Sequence, residues 1–183
     1  MRIIAGLAKG RRIAAPPGSD VRPTGDRVRE ALFSSLQARL PGAHVLDLYA
    51  GSGALGLEAA SRGAARVTLV ERDRRTLEIL RDNVEVVGLP GIEVVSGEVA
   101  AILAGGPLPG APFDLVLADP PYRLAGEELD AMLAVLPTHL AEGAVVVVER
   151  GSREVAPSWP PGFAPDEPRR YGSTVLHRAQ RVA

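Results

Sequence analysis

The stretch that decides the fold is Asp47-Leu48-Tyr49-Ala50-Gly51-Ser52-Gly53-Ala54-Leu55-Gly56, a glycine-rich turn between an apolar run and a helical pattern. Its glycines have the spacing G-x-G-x-x-G, which is typical of a turn that leads from a parallel strand into a helix and holds a nucleoside-bearing cofactor. Glu71 ends the next apolar run, where a carboxylate can accept hydrogen bonds from ribose hydroxyls. The sequence of this turn therefore predicts a Rossmann-like α/β fold with a cofactor bound at the turn.

Asp47 decides between two cofactor classes at this turn. A carboxylate at the mouth of the turn repels a pyrophosphate but attracts an ammonium group, so it favours S-adenosyl-L-methionine over a nicotinamide dinucleotide. Two other interpretations stay open: a dinucleotide site, and a structural turn in which the glycines allow close packing and Asp47 caps the helix.

Apolar runs alternate with helical patterns along the chain. The predicted strands are Val45–Leu48, Val67–Val70, Ile92–Val95, Phe113–Ala118 and Ala144–Glu149. The predicted helices are Asp26–Leu40, Ala54–Arg62, Asp73–Val87, Glu98–Leu103 and Glu127–Leu136. Tyr171-Gly172-Ser173-Thr174 predicts a tight turn between two final strands that close the sheet edge. Together these predict a doubly wound, mostly parallel, seven-stranded sheet with helices on both faces.

A second motif, Asp119-Pro120-Pro121-Tyr122, follows the apolar run Phe113–Ala118. Open α/β sheets bind ligands at the carboxyl ends of their strands, which is where this motif is predicted to lie. The Asp119 carboxylate and the Pro120 carbonyl can each accept one N–H of an exocyclic amine, and Tyr122 can stack on its ring. Consecutive prolines keep such a loop rigid. We therefore predict Asp119, Pro120 and Tyr122 as catalytic residues for methyl transfer to a base; a proline-rich turn is the structural alternative.

The positive charge is concentrated in residues 1–40, which carry eight basic and three acidic side chains, +5 in sum against −1 for the whole chain. This predicts an N-terminal basic hairpin arm, residues 1–22, in front of a catalytic domain, residues 23–183. A cationic arm attracts nucleic-acid phosphates. For each arginine, a surface ion pair is the alternative. The predicted RNA-binding residues, with Arg11 and Arg12 ranked first, are Arg11, Arg12, Arg22, Thr24, Arg27, Arg29, Pro121 and Tyr122.

Composition excludes several classes of function. The chain has no cysteine, and His44, His139 and His177 are too scattered for a metal site, so we expect no metal. It has no run of eighteen apolar residues and no charged-then-apolar leader, so we expect neither a membrane span nor a secretory signal. A cytoplasmic monomer is the expectation.

The stretch Arg22-Pro23-Thr24-Gly25-Asp26-Arg27-Val28-Arg29-Glu30-Ala31-Leu32-Phe33, with Arg2–Gly6 and Gly10–Arg12 before it, resembles the N-terminal signature of the ribosomal small-subunit methyltransferase D family. The resemblance runs nearly end to end. It implies a class I S-adenosylmethionine-dependent fold and methylation of guanine N2 in 16S rRNA, within an assembling small subunit. From the residues and the resemblance together, the predicted cofactor-binding residues are Asp47, Tyr49, Gly51, Gly53, Glu71, Arg72, Glu98, Val99 and Asp119, with Glu98 and the Val99 amide near adenine.

The signature also has an interpretation from its residues alone. Thr24 or Asp26 is predicted to cap a helix that begins near Arg27. Apolar side chains at helical spacing predict its core face, formed by Val28, Ala31, Leu32 and Leu36.

Other functions compatible with the sequence are a DNA or protein-amide methyltransferase with the same tetrapeptide, a nicotinamide-dependent oxidoreductase, and a noncatalytic nucleic-acid-binding module.

Overall fold

The structure is a computed structural model that describes residues 1–18 and 23–182, with Pro23 and Thr24 described through their backbone alone. The predicted contacts of Arg22 and of the Thr24 side chain lie outside this part. The helices are α1 Pro23–Leu36, α2 Ala54–Ser61, α3 Arg74–Val87, α4 Val99–Ala104 and α5 Gly126–Val135. The strands are β1 His44–Leu48, β2 Arg66–Glu71, β3 Ile92–Ser96, β4 Phe113–Ala118, β5 Leu140–Gly151, β6 Phe163–Pro165, β7 Arg169–Tyr171 and β8 Thr174–Arg181.

The described strands form one sheet in the order β3-β2-β1-β4-β5-β8-β6, and β7 also pairs with β8. Strands β1 to β5 are parallel, and β8 runs antiparallel to β5. Val45 on β1 lies beside Val67 on β2 and Leu115 on β4. The central strands are apolar on both faces because helices cover both faces. The predicted doubly wound, mostly parallel α/β fold is confirmed.

The sheet differs from the prediction in the number of its strands, which is eight rather than seven. β6 pairs with the end of β8 and β7 with its beginning, while β5 occupies the other edge of β8. The sheet is therefore seven strands wide, and its outermost strand is split in two. Pro168 lies in the split, where its missing N–H removes one donor from the ladder. The predicted turn between the final strands is present, with Gly172 at a φ of +59°.

Two apolar layers lie on opposite faces of the sheet. One contains side chains of α1, α2 and α3, including Phe33 and Leu57, and the other contains side chains of α4 and α5, including Leu103 and Leu133. Ile3, Ala8 and Ile13 of the N-terminal segment are buried in the first layer. The described part of the N-terminal segment therefore shares this apolar layer with α1, α2 and α3.

Buried polar groups fix the N-terminal segment to α2. Ile4 N and Ala5 N donate to the Glu58 carboxylate at 2.8 and 3.0 Å, and Arg62 Nε donates to the same carboxylate at 2.8 Å. Glu58 has no exposed surface. A Cβ at Gly6, whose φ is +84°, would lie 1.8 Å from the Ser61 carbonyl oxygen, so only glycine fits this approach.

A second buried group, Asn83 on α3, connects three parts of the chain. Its Oδ1 accepts from Ala14 N at 2.8 Å, and its Nδ2 donates to Ala14 O at 2.9 Å and to Ser52 O at 2.8 Å. Because Ser52 belongs to the glycine-rich turn, Asn83 holds that turn against α3 and the N-terminal segment.

The predicted helix Asp26–Leu40 is observed as Pro23–Leu36 followed by a 3-10 turn, Gln37–Arg39. The fixed φ of Pro23 suits the first residue of a helix, which explains the earlier start. The prediction that Thr24 or Asp26 caps a helix beginning near Arg27 is therefore wrong, because the helix begins before both. Its predicted core face is confirmed for Val28, Leu32 and Leu36, which are buried, whereas Ala31 is half-buried.

Candidate active site

A cleft of about 860 Å³ opens at the carboxyl ends of the central strands. A volume of this size is within the range of small-molecule sites. Its lining combines apolar and charged residues: Tyr49, Val70, Glu71, Arg72, Asp73, Arg74, Arg75, Gly97, Glu98, Val99, Asp119, Pro121 and Arg123. Six of the predicted cofactor residues, Tyr49, Glu71, Arg72, Glu98, Val99 and Asp119, lie in this lining; Asp47, Gly51 and Gly53 lie outside it.

The glycine-rich turn joins β1 to α2 as predicted. Gly53 precedes α2 with a φ of +83°, and a Cβ there would lie 2.6 Å from Leu80 Cδ1. Gly56, in the first turn of α2, would place a Cβ 2.3 Å from Leu69 Cδ2. Gly53 therefore allows the turn, and Gly56 allows α2 to pack closely against β2.

Asp47 is buried beneath this turn, with 1% of its surface exposed. Its Oδ2 accepts a hydrogen bond from Gly56 N at 2.8 Å, which is the bond expected from the helix-capping interpretation. Burial raises the pKa of the Asp47 carboxyl to about 8, and the charges of Asp119 and Glu71 act in the same direction. The predicted contact of Asp47 with a cofactor ammonium group stays a prediction.

Tyr49 is the one non-glycine residue of the described chain with a positive φ, +60°. This conformation is unfavourable for a side chain with a Cβ, and such residues concentrate at functional sites. The ring lines the cleft, and burial, followed by the charge of Glu98, raises the pKa of its hydroxyl to about 12. The Tyr49 side chain therefore lines the cleft as an uncharged ring.

Glu71 is bonded to the backbone around it. Its Oε2 accepts from Gly51 N at 2.9 Å, and its Oε1 accepts from Arg72 N at 2.8 Å and from Asp73 N at 2.9 Å. A carboxylate has about four acceptor positions, so at least one remains for a ligand hydroxyl. The carboxylate is thus held at the end of β2, where the sequence predicts ribose binding.

Glu98 and Val99, at the start of α4, lie in the cleft lining after β3, the strand that pairs with β2. Glu98 Oε2 forms an ion pair with Arg72 Nη1 at 2.7 Å, so the carboxylate does not cap the helix. Val99 is the first helical residue, whose N–H has no partner within the helix. A ligand such as adenine can accept from this N–H, which makes Val99 a better candidate for direct contact than the paired Glu98 side chain.

Asp119 directly follows β4 and faces the cleft. Its side chain reaches the solvent of the cleft, yet the protein around it excludes much of the surrounding water. This desolvation, together with the charge of Glu154, raises the pKa of the carboxyl to about 6. At neutral pH Asp119 is thus mainly ionised and able to accept hydrogen bonds.

The rest of the tetrapeptide forms a turn in which Leu124 N donates to Pro121 O at 2.8 Å. Pro120 is buried, whereas 80% of the Tyr122 surface is exposed. A Cβ at Gly151 would lie 3.4 Å from Tyr122 Cε1, so the ring lies beside the Gly151 backbone. Tyr122 lies outside the cleft lining and presents an accessible aromatic face next to it.

A group of charged residues that the sequence analysis missed lies behind Asp119. Ala118 pairs with Val148, so Glu149 at the end of β5 neighbours Asp119. Burial, followed by the charge of Asp119, raises the pKa of Glu149 to about 8. Arg150 is buried, forms an ion pair with Glu154 at 3.4 Å, and donates to Leu124 O at 3.3 Å. The sequence contains one signal for this group: charged residues occur at the end of a strand that is otherwise apolar and predicted to be buried.

The predicted RNA-binding arginines have different surroundings. Arg11 Nη1 donates to the carbonyls of Val86 and Val87 at the end of α3. Arg29 is buried and donates to Arg2 O at 2.7 Å and to Asp26 at 3.0 Å, and burial lowers its pKa. Its predicted role as a ligand contact is therefore replaced by a structural one.

Arg12 and Arg27 are exposed and form no hydrogen bond or ion pair with the rest of the described chain. They remain candidates for RNA phosphate.

Within residues 1–18 and 23–182, no three His, Cys, Asp or Glu side chains are grouped closely enough to hold a metal ion. Among the helices described, none is both long and apolar enough to cross a membrane.

Comparison with known proteins matches nearly the whole chain. A family profile described as "Conserved hypothetical protein 95" matches residues 1–180. Ribosomal RNA small subunit methyltransferase D of Escherichia coli strain K12 is 36% identical over 183 residues, which cover 100% of this chain and 91% of that protein. Putative rRNA methyltransferase YlbH of Bacillus subtilis is 34% identical over 158 residues, 85% of this chain and 84% of that one. The solved structure of putative methyltransferase yhhF from Escherichia coli has a TM-score of 0.87 at 34% identity and covers 100% and 98% of the two chains.

Proposed function

Because the chain belongs to the Conserved hypothetical protein 95 family, together with the ribosomal RNA small subunit methyltransferase D proteins, we propose that it methylates ribosomal RNA. In this proposal it transfers a methyl group from S-adenosylmethionine to N2 of a guanine in 16S rRNA of the small subunit. The observation that carries the proposal is the position of Asp119, which lies in the cleft directly after β4 and begins the turn that presents the exposed ring of Tyr122.

The polar groups of the cleft fit S-adenosylmethionine. Glu71 has acceptor capacity for a ribose hydroxyl, and the Val99 N–H is available to adenine. A dinucleotide fits less well, because pyrophosphate binds the N-terminal N–H groups of the helix after the turn. Asp47 already accepts from one of them, Gly56 N.

The residues around Asp119 are arranged to hold an exocyclic amine. When bound, S-adenosylmethionine supplies an electrophilic methyl group on a sulfonium. The Asp119 carboxylate and the Pro120 carbonyl accept the two N–H groups of guanine N2, which orients the nitrogen towards that methyl group. Tyr122 stacks on the base. As the N–C bond forms and the C–S bond breaks, the nitrogen loses one proton, for which Asp119 is the nearest acceptor of the chain. Positioning of the two reactants supplies most of the acceleration.

The test is transfer of tritiated methyl groups to small-subunit particles from cells that lack this gene, followed by mass spectrometry of the nucleosides. We expect N2-methylguanosine in the 16S rRNA fraction and little incorporation into DNA or release-factor protein. Calorimetry is expected to detect binding of S-adenosylmethionine and not of NAD. Asp119→Ala is expected to abolish transfer while cofactor binding persists.

Methylation of an adenine, or transfer only to DNA or protein, would contradict the proposed substrate. Full activity of Asp119→Ala would contradict the proposed chemistry and favour a noncatalytic nucleic-acid-binding module.

A further inference from the structure

Three arginines lie on the rim of the cleft and have no role in the fold. Arg74 and Arg75 begin α3 on one side, and Arg123 follows the tetrapeptide on the other. All three side chains are exposed; those of Arg74 and Arg123 form no hydrogen bond or ion pair within the described chain, and Arg75 interacts electrostatically with the neighbouring Asp73. They are therefore available to a ligand.

The position of two of these arginines is unfavourable for the helix that carries them. The N-terminus of a helix has a positive partial charge, so cations in the first turn destabilise it and anions stabilise it. The first turn of α3 contains Arg74 and Arg75 and no acidic residue. The N-cap residue Asp73 offsets only part of this conflict, since one carboxylate lies beside two guanidinium groups, and an electrostatic conflict that remains in a fold indicates a functional site.

The acidic residues of the cleft do not hold these three guanidinium groups in ion pairs, because their oxygens are bonded to other groups. Glu71 accepts from three backbone N–H groups. Asp73 caps α3 by accepting from Thr76 N and Thr76 Oγ1, both at 2.9 Å, and Glu98 is paired with Arg72.

S-adenosylmethionine does not explain the three arginines either. Its sulfonium and ammonium groups outweigh its single carboxylate, so its net charge is positive and it contains no phosphate. Exposed guanidinium groups on the rim attract a polyanion, whereas carboxylates of the cleft lining such as Glu71 and Asp119 attract the cationic S-adenosylmethionine. Guanidinium groups match phosphate particularly well, because their planar array of donors binds two phosphate oxygens at once.

We propose that Arg74, Arg75 and Arg123 form the surface that holds the RNA backbone at the active site, by binding phosphates on either side of the target nucleotide. This inference rests on the proposed function and names the contacts that bring the substrate to Asp119. Phosphate contacts fix register and orientation without reading sequence, and the exposed ring of Tyr122, next to Arg123, receives the base between them.

The surface differs from the one predicted from the sequence. Among the predicted arginines, Arg11 is bound to the end of α3 and Arg29 is buried. The rim arginines are nearer to the reacting groups, since they line the same cleft as Asp119.

The test compares wild type with the triple variant Arg74→Glu, Arg75→Glu, Arg123→Glu in filter binding to unmethylated 16S rRNA over a range of salt concentrations. We expect binding weaker by about tenfold or more, with the slope of log K against log salt reduced by about 0.7 for each lost phosphate contact. With small-subunit particles, KM should rise while kcat changes little, because the contacts act equally in the ground and transition states.

Arg81→Glu is the matched control. Arg81 lies on the same helix, is exposed and unpaired in the described chain, and is outside the cleft lining. The Arg81→Glu variant should bind RNA with the affinity and salt dependence of wild type. The triple variant should keep or raise the Tm, because two of its new carboxylates lie in the first turn of α3. If its Tm falls, the neutral variant Arg74→Gln, Arg75→Gln, Arg123→Gln replaces it in the same assays.

An unchanged salt slope and KM in a folded variant would overturn the inference. Equal loss in Arg81→Glu, or loss confined to Arg12→Glu, would overturn it as well. Failure of the proposed function gives a different result, in which wild type itself does not methylate the particles.

Discussion

Asp119 combines an exposed position in the cleft with a carboxyl pKa of about 6. Because the ionised form accepts the amine N–H groups, we expect kcat/KM to fall as the pH drops below about 6 and to level off above it. Asp119→Asn should lose about 10²-fold or more in kcat and lose this dependence. The measurement is the pH profile of methyl transfer for both proteins.

The pH at which Asp119 ionises, and with it the pH profile of methyl transfer, also depends on the charged neighbours of Asp119. Glu149 and Glu154 face it from β5 and from the segment after β5, and Arg150 is paired with Glu154. Glu154→Gln removes the negative charge that raises the pKa of Asp119, so it should move the activity transition to lower pH. Glu149, with a pKa of about 8, is neutral at the pH where Asp119 ionises, so Glu149→Gln should leave the transition in place. An equal displacement in both variants would contradict these assignments.

Tyr122 provides a second prediction at the residue scale. Its proposed role is stacking, for which the ring suffices, so Tyr122→Phe should retain near wild-type activity. Tyr122→Ala should weaken RNA binding by about 1–3 kcal/mol, the usual contribution of one base stacked on an aromatic ring. Because 80% of the residue is exposed, neither change should alter the Tm. Equal RNA affinity in both variants would argue against stacking.

Asp47 predicts a stability effect of pH. Its folded pKa is about 8, above the ordinary value of about 3.9, so the folded state binds a proton that the unfolded state releases between these pH values. This contribution to stability is complete below pH 4 and is lost as the pH rises through 8. Asp47→Asn keeps an oxygen that can accept from Gly56 N, so its Tm should fall less than that of wild type between pH 6 and 9. Parallel Tm curves would contradict the assigned protonation state.

At the scale of elements, the attachment of the N-terminal segment to α2 depends on Glu58. Glu58→Ala removes a fully buried carboxylate and leaves two half-buried backbone N–H groups and Arg62 without their acceptor. The loss of a buried partner of this kind costs about 3–5 kcal/mol, which we expect in the free energy of unfolding from urea titrations.

Glu78→Ala is the control for this variant, since Glu78 is exposed on α3 and forms no hydrogen bond or ion pair among the described residues. It should change stability by less than about 0.5 kcal/mol. A similarly small effect of Glu58→Ala would mean that the N-terminal segment is held by its apolar contacts and its other hydrogen bonds, such as those of Asn83, and not by Glu58.

At the scale of the whole molecule, the described part of the chain forms a single sheet with a cleft at the ends of its central strands and a short basic segment. A protein with a short basic segment and a few arginines at its cleft makes few phosphate contacts, so its affinity for an arbitrary RNA is low. A guanine that is stacked or paired must in addition leave its helix before it can react. We therefore expect efficient methylation of structured 16S rRNA in particles and poor methylation of short naked oligonucleotides. The comparison is kcat/KM for the two substrates at equal salt; equal values would contradict the expectation.

The sequence by itself determined the fold and the central residues of the candidate site. Apolar runs, helical periodicity and glycine spacing are local, so they located β1 to β5, the turn into α2 and the placement of Asp119 after β4. Proline and glycine chemistry likewise predicted the final turn at Gly172. Helix ends were less accurate, as at Pro23, because capping and the first turn use the same residue types.

Only the tertiary structure decided which charged side chains are free. Arg11 and Arg29 are indistinguishable from Arg74 and Arg123 in sequence, yet the first two are bound to main-chain carbonyls of distant segments, whereas the last two are unpaired at the cleft. Likewise, Asp47 is directed to Gly56, and Glu149 lies beside Asp119 only because β4 and β5 pair. The partners of a charge come from residues far apart in the chain, so its role is fixed by packing and not by local pattern.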